Sequence, residues 1–428
     1  MTVQQKAFKS RRRYNQWVTN QTLEDFALRY TPVSARRWSA KRVVMTALSA
    51  ITFLALEAIG GALTLTYGFN YVVVAVILVS IIIFALSMPI AINAAKNGLD
   101  IDLLTRGAGF GYLGSTVTSL IYASFTFIFF ALEAAIMAMA LNMLFGLPLH
   151  FGYLIGSVVV IPLVTWGFTF ISRFQQFTQF CWLALQLLPF IFILIREHHV
   201  LQNWIDFPGF ITARDGSFDF LQLGAVCSVL LSLVSQVGEQ VDQVRFLPKP
   251  QHPARWRWYG AVIAAGPGWV VIGAIKILLG SFLAVLAFNY GLGAELASEP
   301  THMYLVAFSY VTHSSSTLLA LTGIFVVLSQ LKINVTNAYA GSIAWSNFFL
   351  RLTHRHPGRV VWLFFNVGIA LLLMELGVYR VFEDILGIYA VAATSWLGSV
   401  VADLTLNKWL KLRPAEIEFR RAYLYDIN

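Results

Sequence analysis

Ten apolar runs punctuate the chain, at 43–67, 71–94, 112–144, 151–170, 177–195, 220–242, 258–288, 315–340, 360–377 and 385–404. A hydrocarbon layer of about 30 Å is crossed by roughly 20 apolar residues in a helix, so each run predicts one membrane span, with 112–144 long enough to tilt. The runs are too long for strands and lack the ten-residue alternation of a lipid-facing barrel. The segment 301–312 is too short to cross and reads as a surface helix. The predicted organisation is a basic tail at 1–42, a transmembrane domain at 43–404 in two halves (43–195 and 220–404), and a polar tail at 405–428. Within the first tail, Leu23–Tyr30 has mild amphipathic spacing and either lies along the membrane surface or is solvated. No apolar core with a small-residue cleavage site follows Met1, so no signal peptide is read.

Composition and charge agree with lipid as the solvent. Hydrophobic residues make up 58% of the chain and charged residues 12%, against roughly 25% charged in soluble domains. The net charge of +9 is explained by topology rather than by nucleic acid. With the N-terminus inside, 25 of the 30 Lys and Arg fall in the tails and in the loops after even-numbered spans. Outside loops hold Arg196, Arg214 and Arg380, while Lys276 and Lys332 lie within spans. This asymmetry predicts an even number of spans, both termini cytoplasmic. Cys181 and Cys227 sit in apolar runs, so neither a disulfide framework nor a metal cluster is expected. His354 and His356, beside Arg351 and Arg355, read as part of the basic loop. No nucleophile–base pair, phosphate loop or dinucleotide fingerprint is present; no enzyme activity and no cofactor are expected.

Two halves of five spans must enter the bilayer from opposite sides, the arithmetic of an inverted repeat and of many secondary transporters. In such folds the first helix of each half is interrupted. Glu57-Ala58-Ile59-Gly60-Gly61 in the first span and Ser235-Gln236-Val237-Gly238-Glu239 in the sixth place glycine beside polar residues inside apolar runs, and the interruptions are expected there.

At these residues the chain resembles the nucleobase–cation symporters, most closely the bacterial purine–cytosine permeases. The resemblance extends from Val43 to Trp409. It rests on Ala94-Ala95-Lys96-Asn97-Gly98-Leu99 followed by Leu103-Leu104-Thr105-Arg106, Gly109 and Gly111, on Gly60-Gly61, on Asp242-x-x-Arg245-Phe246, on Asn334 with Tyr339, and on Ala402-Asp403 with Asn407-Lys408. It implies an all-α, LeuT-type 5+5 bundle with the first and sixth spans broken. It also implies a bacterial inner-membrane location and uptake of a small planar heterocycle with a cation. The family's stacking tryptophan matches Phe129, its ligand-contacting glutamine falls near Thr126, and its sixth-span aromatic and serine match Leu233 and Ser235. Its base-holding asparagine matches Ser329, with Gln330 adjacent. With Glu57, Gly60 and Gln236 these form the expected substrate site; the changes leave cytosine a poor candidate.

The family's sodium site takes two hydroxyl residues from the eighth span, where this chain has Lys332 and Ile333. The expectation is that the Lys332 ammonium replaces the ion and ties the eighth span to the first, leaving the coupling cation open between proton and sodium. Glu57 is expected to touch substrate or pair with Lys332, Glu133 to line the site or pair with Lys276, and Glu239 to do either; Asn334 is an interhelical hydrogen-bonder or a ligand. The leading function is a permease for a nucleobase-like heterocycle, sodium-independent or proton-coupled. The alternative is a ligand-sensing membrane module signalling to a kinase or other partner, since such relatives exist and this chain stops at Asn428 where family members usually have two more helices.

Overall fold

A computed structural model describes residues 31–36, 38–197, 199–211, 218–249, 255–355, 357–412, 417–419 and 423–427. The expectations for Leu23–Tyr30, Arg214 and His356 lie outside them. The described secondary structure is helical throughout. The first half holds α1 (Ala40–Ser49), α2 (Ala55–Tyr67), α3 (Phe69–Asn97), α4 (Ile101–Thr105), α5 (Gly111–Phe145), α6 (Leu149–Val158), α7 (Val160–Thr165) and α8 (Gly167–Arg196). The short α9 (Val200–Ile205) links the halves. The second half holds α10 (Phe220–Leu231), α11 (Gln236–Val244), α12 (Arg255–Ala265), α13 (Trp269–Asn289), α14 (Ala294–Ala297), α15 (Pro300–Ser309), α16 (Ser315–Thr353), α17 (Arg359–Glu375) and α18 (Phe382–Ala402).

Each of the ten apolar runs has a helical counterpart. Among the described residues, seven helical stretches are long and apolar enough to cross a membrane. The remaining three runs are α1 with α2, α6 with α7, and the 17-residue α17. The fold is that of an all-α multi-pass membrane protein. α5 and α16 run together through its centre, α2 lies against α13, and α10 packs between α3 and α18. Buried helices here carry apolar residues all round, as the consecutive buried residues Phe129, Phe130, Ala131 and Leu132 do on α5, because both neighbours and lipid accept them.

Both halves begin with an interrupted span, but not where glycine suggested. In the first span, α1 stops at Ser49 and α2 starts at Ala55; Gly60 and Gly61 lie inside α2. A Cβ on Gly60 would sit 2.0 Å from the Ile277 carbonyl oxygen, and one on Gly61 2.4 Å from Met303 Cε. These glycines let helices approach closely. Gly280 returns the contact, since its Cβ would meet the Glu57 backbone at 2.2 Å. In the sixth span, Ser232–Ser235 tightens into a 3₁₀ turn between α10 and α11, overlapping the expected segment at Ser235 and ending before its glycine. Gly238 again serves packing, facing the Tyr122 ring.

Two further expectations are corrected. The 301–312 segment is not a surface helix: α15 buries Met303, Tyr304, Ala307 and Phe308 against α13 and α16. The eighth span continues to Thr353, carrying buried Asn347 and Arg351 to one end of the bundle.

That end is held by a cluster of buried polar side chains. Asp100 caps α4 through Leu103 N at 2.6 Å and pairs with Arg245 at 3.5 Å. Arg245 also donates to the Tyr339 hydroxyl at 3.3 Å. Asp102 accepts from Asn347 at 2.7 Å and from Ser119. Gly98, at φ 70°, takes the left-handed position that ends α3. Arg36 donates to the carbonyls of Leu247 (2.8 Å) and Ala95, fastening the start of the described chain to the ends of α3 and the sixth span. The carbonyls of Tyr425 and Asp426 accept from Tyr112 N (2.9 Å) and Leu113 N (2.6 Å), capping α5 with the C-terminal tail.

Candidate functional site

The five residues Ala50–Leu54 contain neither Gly nor Pro, so no local propensity opens the chain there. The gap is held by side chains from elsewhere. A helix start leaves its first amides unsatisfied, and Leu54, the N-cap of α2, offers no side-chain acceptor. Glu133 of α5 supplies it: Oε2 accepts from Leu54 N and Oε1 from Ala55 N, each at 3.2 Å. Gln330 Oε1 of α16 lies 3.5 Å from Leu54 N. Thr52 donates to the Ser329 carbonyl at 2.8 Å, and Phe53 meets the Phe129 ring edge-on, centroids 6.3 Å apart. Thus α5 and α16, the central pair, grip the opened segment from two sides.

A second shell of polar contacts extends outward along α2. Glu57, fully buried, pairs with Lys276 of α13 at 2.5 Å and accepts from the Tyr304 hydroxyl of α15 at 3.2 Å. Gln186 of α8 donates to that hydroxyl at 2.7 Å. Lys276 also stands 5.4 Å from the Trp182 ring centroid, and Trp182 Nε1 donates to Ser329 Oγ at 2.9 Å. Intramembrane charges usually face inward and pair, because each costs roughly 2.5–3.5 kcal/mol on insertion scales. Here one acid and one lysine neutralise each other.

The expected residues do not all come together. Glu57, Phe129, Glu133, Ser329 and Gln330 gather around the opening of the first span. Gly60 does not; it is packed on the α13 backbone. Ser235 bonds the Tyr389 hydroxyl of α18 at 2.7 Å, and Gln236 donates to Glu239 at 2.9 Å, so these three belong to the sixth-span turn. There Leu233 lines a small apolar cavity with Leu230, Val76 and Trp269. Thr126 donates to Asn366 Oδ1 of α17 at 3.2 Å. Asn334 accepts from Asn337, one turn along α16, at 3.5 Å.

Three predicted pairings are corrected. Lys332 does not tether the eighth span to the first, nor does it meet Glu57. Its ammonium donates to the Gln175 carbonyl and Thr178 Oγ1 of α8, both at 3.0 Å, where Gln175 in turn donates to the Lys332 carbonyl at 2.7 Å. Lys276 takes Glu57, which leaves Glu133 for the α2 amides instead of an ion pair. The sequence reading missed Thr52, Phe53, Trp182, Gln186 and Tyr304. Trp182 and Gln186 were detectable as polar-tipped residues four apart on an apolar helix; Thr52, Phe53 and Tyr304 carried no signal of their own.

No family model matches the chain, and comparison with curated proteins by sequence finds no match. Solved structures do match. The nucleobase-cation-symport-1 family transporter Mhp1, in a closed conformation with bromovinylhydantoin bound, superposes with a TM-score of 0.68 at 16% identity, over 92% of this chain and 84% of that one. Mhp1 in its inward-facing conformation gives 0.61 at 18% identity, over 85% and 77%. A Na+-coupled sialic acid symporter gives 0.62 at 13% identity, over 92% and 83%. The chain therefore shares the fold of these cation-coupled transporters, and the sensor alternative gains no support from them.

Proposed function

We propose that the protein is a secondary transporter of a small, planar, nucleobase-like heterocycle, working by alternating access across a bacterial inner membrane. The carrying observation is the opened first span, whose free half-helix is gripped by α5 and α16 beside an aromatic face. Mhp1, a transporter of the nucleobase-cation-symport-1 family, has the same fold and supports the substrate class. In this reading the substrate lies between the opening and Phe129, whose ring offers a stacking face, with Ser329 and Gln330 at its edge. Rocking of the halves then exposes the site to either side.

Coupling in this reading does not use sodium at the eighth span. Sodium takes several oxygen ligands. Ile333 provides no side-chain oxygen, and an ammonium at Lys332, 3.0 Å from a carbonyl and a hydroxyl of α8, already sits where a cation would be drawn. Uptake of radiolabelled purines, pyrimidines, hydantoins and allantoin into proteoliposomes tests both parts. We expect uptake of at least one neutral ring, with Phe129→Ala lowering it at least tenfold and removal of sodium leaving it intact. Absence of uptake across the panel refutes the transport reading, and strict sodium dependence refutes the coupling.

A further inference from the structure

We propose that the exposed cations Lys96, Lys249, Arg255 and Arg257, with Trp256 and Tyr259 among them, form a docking surface for the headgroup of an anionic phospholipid. The inference goes beyond the transport reading and does not depend on it.

The helical stretches Phe69–Asn97 and Arg255–Asn289 are both long and apolar enough to cross a membrane. Lys96 is the last residue but one of the first, and Arg255 and Arg257 open the second. All three therefore lie within one turn of the end of a crossing helix, at the depth of the headgroups. They are also neighbours. α12 packs against α3 and α1, and the Tyr259 ring centroid is 6.0 Å from the Lys96 ammonium. Trp258 Nε1 donates to the Pro248 carbonyl at 2.8 Å, which keeps the adjoining Lys249 beside the start of α12. The buried Arg36 guanidinium donates to the carbonyls of Leu247 at 2.8 Å and Lys96 at 3.4 Å, so the end of the sixth span and the end of α3 are fastened to each other. The surface thus draws residues from both halves of the chain.

Its charge is uncompensated. No Asp or Glu occurs between Glu57 and Asp100, nor between Asp242 and Glu295. The two acids nearest in sequence are engaged elsewhere: Asp100 pairs with Arg245, and Asp242 accepts from the Tyr122 hydroxyl at 2.9 Å. Among the described residues, none of the four cations forms an ion pair, and all four are exposed. Orientation of the chain by basic residues calls for positive charge at this end of the bundle. It does not call for convergence of that charge on one place, nor for large aromatic rings among it.

Those rings decide the kind of anion. Trp256 is 72% exposed and Tyr259 38%, and the Arg257 guanidinium stands 5.2 Å from the Trp256 centroid. An indole is amphipathic and is favoured at the membrane–water boundary, where its ring meets apolar chains and its N–H meets water. A soluble phosphate would answer the cations and leave the Trp256 ring in water. A phospholipid answers both, its phosphate meeting guanidinium and ammonium groups and its chains meeting the ring.

The test is thermal unfolding of the purified, delipidated full chain in vesicles of phosphatidylcholine alone or mixed with phosphatidylglycerol. One variant carries Lys96→Gln, Arg255→Gln and Arg257→Gln. A second carries Arg173→Gln, Arg355→Gln and Lys408→Gln, which removes the same charge from exposed positions on α8 and after α16 and α18. We expect phosphatidylglycerol to raise the melting temperature of the unmodified protein and of the second variant by several degrees, and to leave that of the first nearly unmoved. Equal rises in the two variants, or no rise in the unmodified protein, overturn the proposal. So does inorganic phosphate at matched ionic strength if it reproduces the rise in phosphatidylcholine alone, because the site would then be one for a soluble anion. Trp256→Ala keeps every cation and should lose part of the rise; an undiminished rise removes the case for a lipid. All the substituted residues are exposed, so each variant is expected to fold. The assay contains no substrate, so its outcome stands apart from that of the uptake experiment.

Discussion

The two interrupted spans occupy equivalent places in the two halves, yet they are built differently. In the first, the chain leaves helix altogether for Ala50–Leu54, and its orphaned amides are taken by a carboxylate 78 and 79 positions away in sequence. In the sixth, the chain only tightens over Ser232–Ser235, and the amide that follows returns to Leu233 and Val234. A tightened turn satisfies itself; an opened segment needs partners. At the first span Glu57, Lys276, Tyr304, Gln186, Trp182 and Ser329 accordingly form one connected chain of contacts. An inverted repeat supplies the symmetry of position, and side chains then assign the two positions unequal work.

The largest test of that asymmetry is the ion pair. Lys276→Met leaves the Glu57 carboxylate fully buried without its cation, and removing one partner of a buried pair costs about 3–5 kcal/mol. Denaturation in detergent should show this loss, and the double variant Glu57→Leu with Lys276→Met should recover most of it. Glu239→Gln at the sixth span removes a carboxylate that accepts from Gln236, so its loss should be smaller. Equal losses would erase the distinction between the two spans. Next in size are the glycines. Gly60→Ala drives a methyl into the Ile277 backbone at 2.0 Å, so α2 and α13 must separate, at about 1–3 kcal/mol. Gly238→Ala meets a side-chain ring, Tyr122 at 2.4 Å; displacing it disturbs the 2.9 Å bond from its hydroxyl to Asp242 but leaves both helix backbones in place, so the melting temperature should fall less. The reverse order would mean that the α2–α13 contact is the softer of the two.

These comparisons also explain what the sequence could and could not disclose. Span positions were legible because lipid imposes one long apolar run per crossing. Gly60, Gly61 and Gly238 were legible as constraints but ambiguous in kind: glycine permits a break and equally permits close packing, and here packing prevailed. The true opening at Ala50–Leu54 carried no signal because its cause is tertiary; Thr52 is unremarkable until the Ser329 carbonyl is 2.8 Å away. Buried charges could be identified from sequence as a set, since each demands a partner, but the partners depended on rotation about each helix axis. Lys332 and Lys276 are both lysines inside apolar runs, and only the folded bundle turns one to α8 and the other to Glu57. Thr52→Val examines the opening most directly. It should cost about 1 kcal/mol, the net worth of a typical hydrogen bond, and a value near zero in denaturation would place the hold on the opening with Glu133 alone.

The smallest effect concerns the helix that brings Tyr304 to the first span. α15 begins at Pro300, and just before it Glu299 Oε2 lies 2.9 Å from His302 Nδ1. The hydrogen bond to Glu299 raises the His302 pKa above its ordinary value, more than half-burial lowers it. A histidine whose folded pKa exceeds its unfolded value of about 6.5 stabilises the fold fully below that pH, and the contribution fades as pH rises through the folded value. Because His302 lies two residues before Tyr304, fading of the pair loosens the end of α15 nearest the Glu57 contact without removing that contact. Thermal unfolding followed from below pH 6.5 upward should therefore show a shallow decline for the unmodified protein and a flatter profile for His302→Gln. Superimposable profiles would show that the pair contributes nothing to holding α15, leaving that task to the burial of Tyr304 and Phe308.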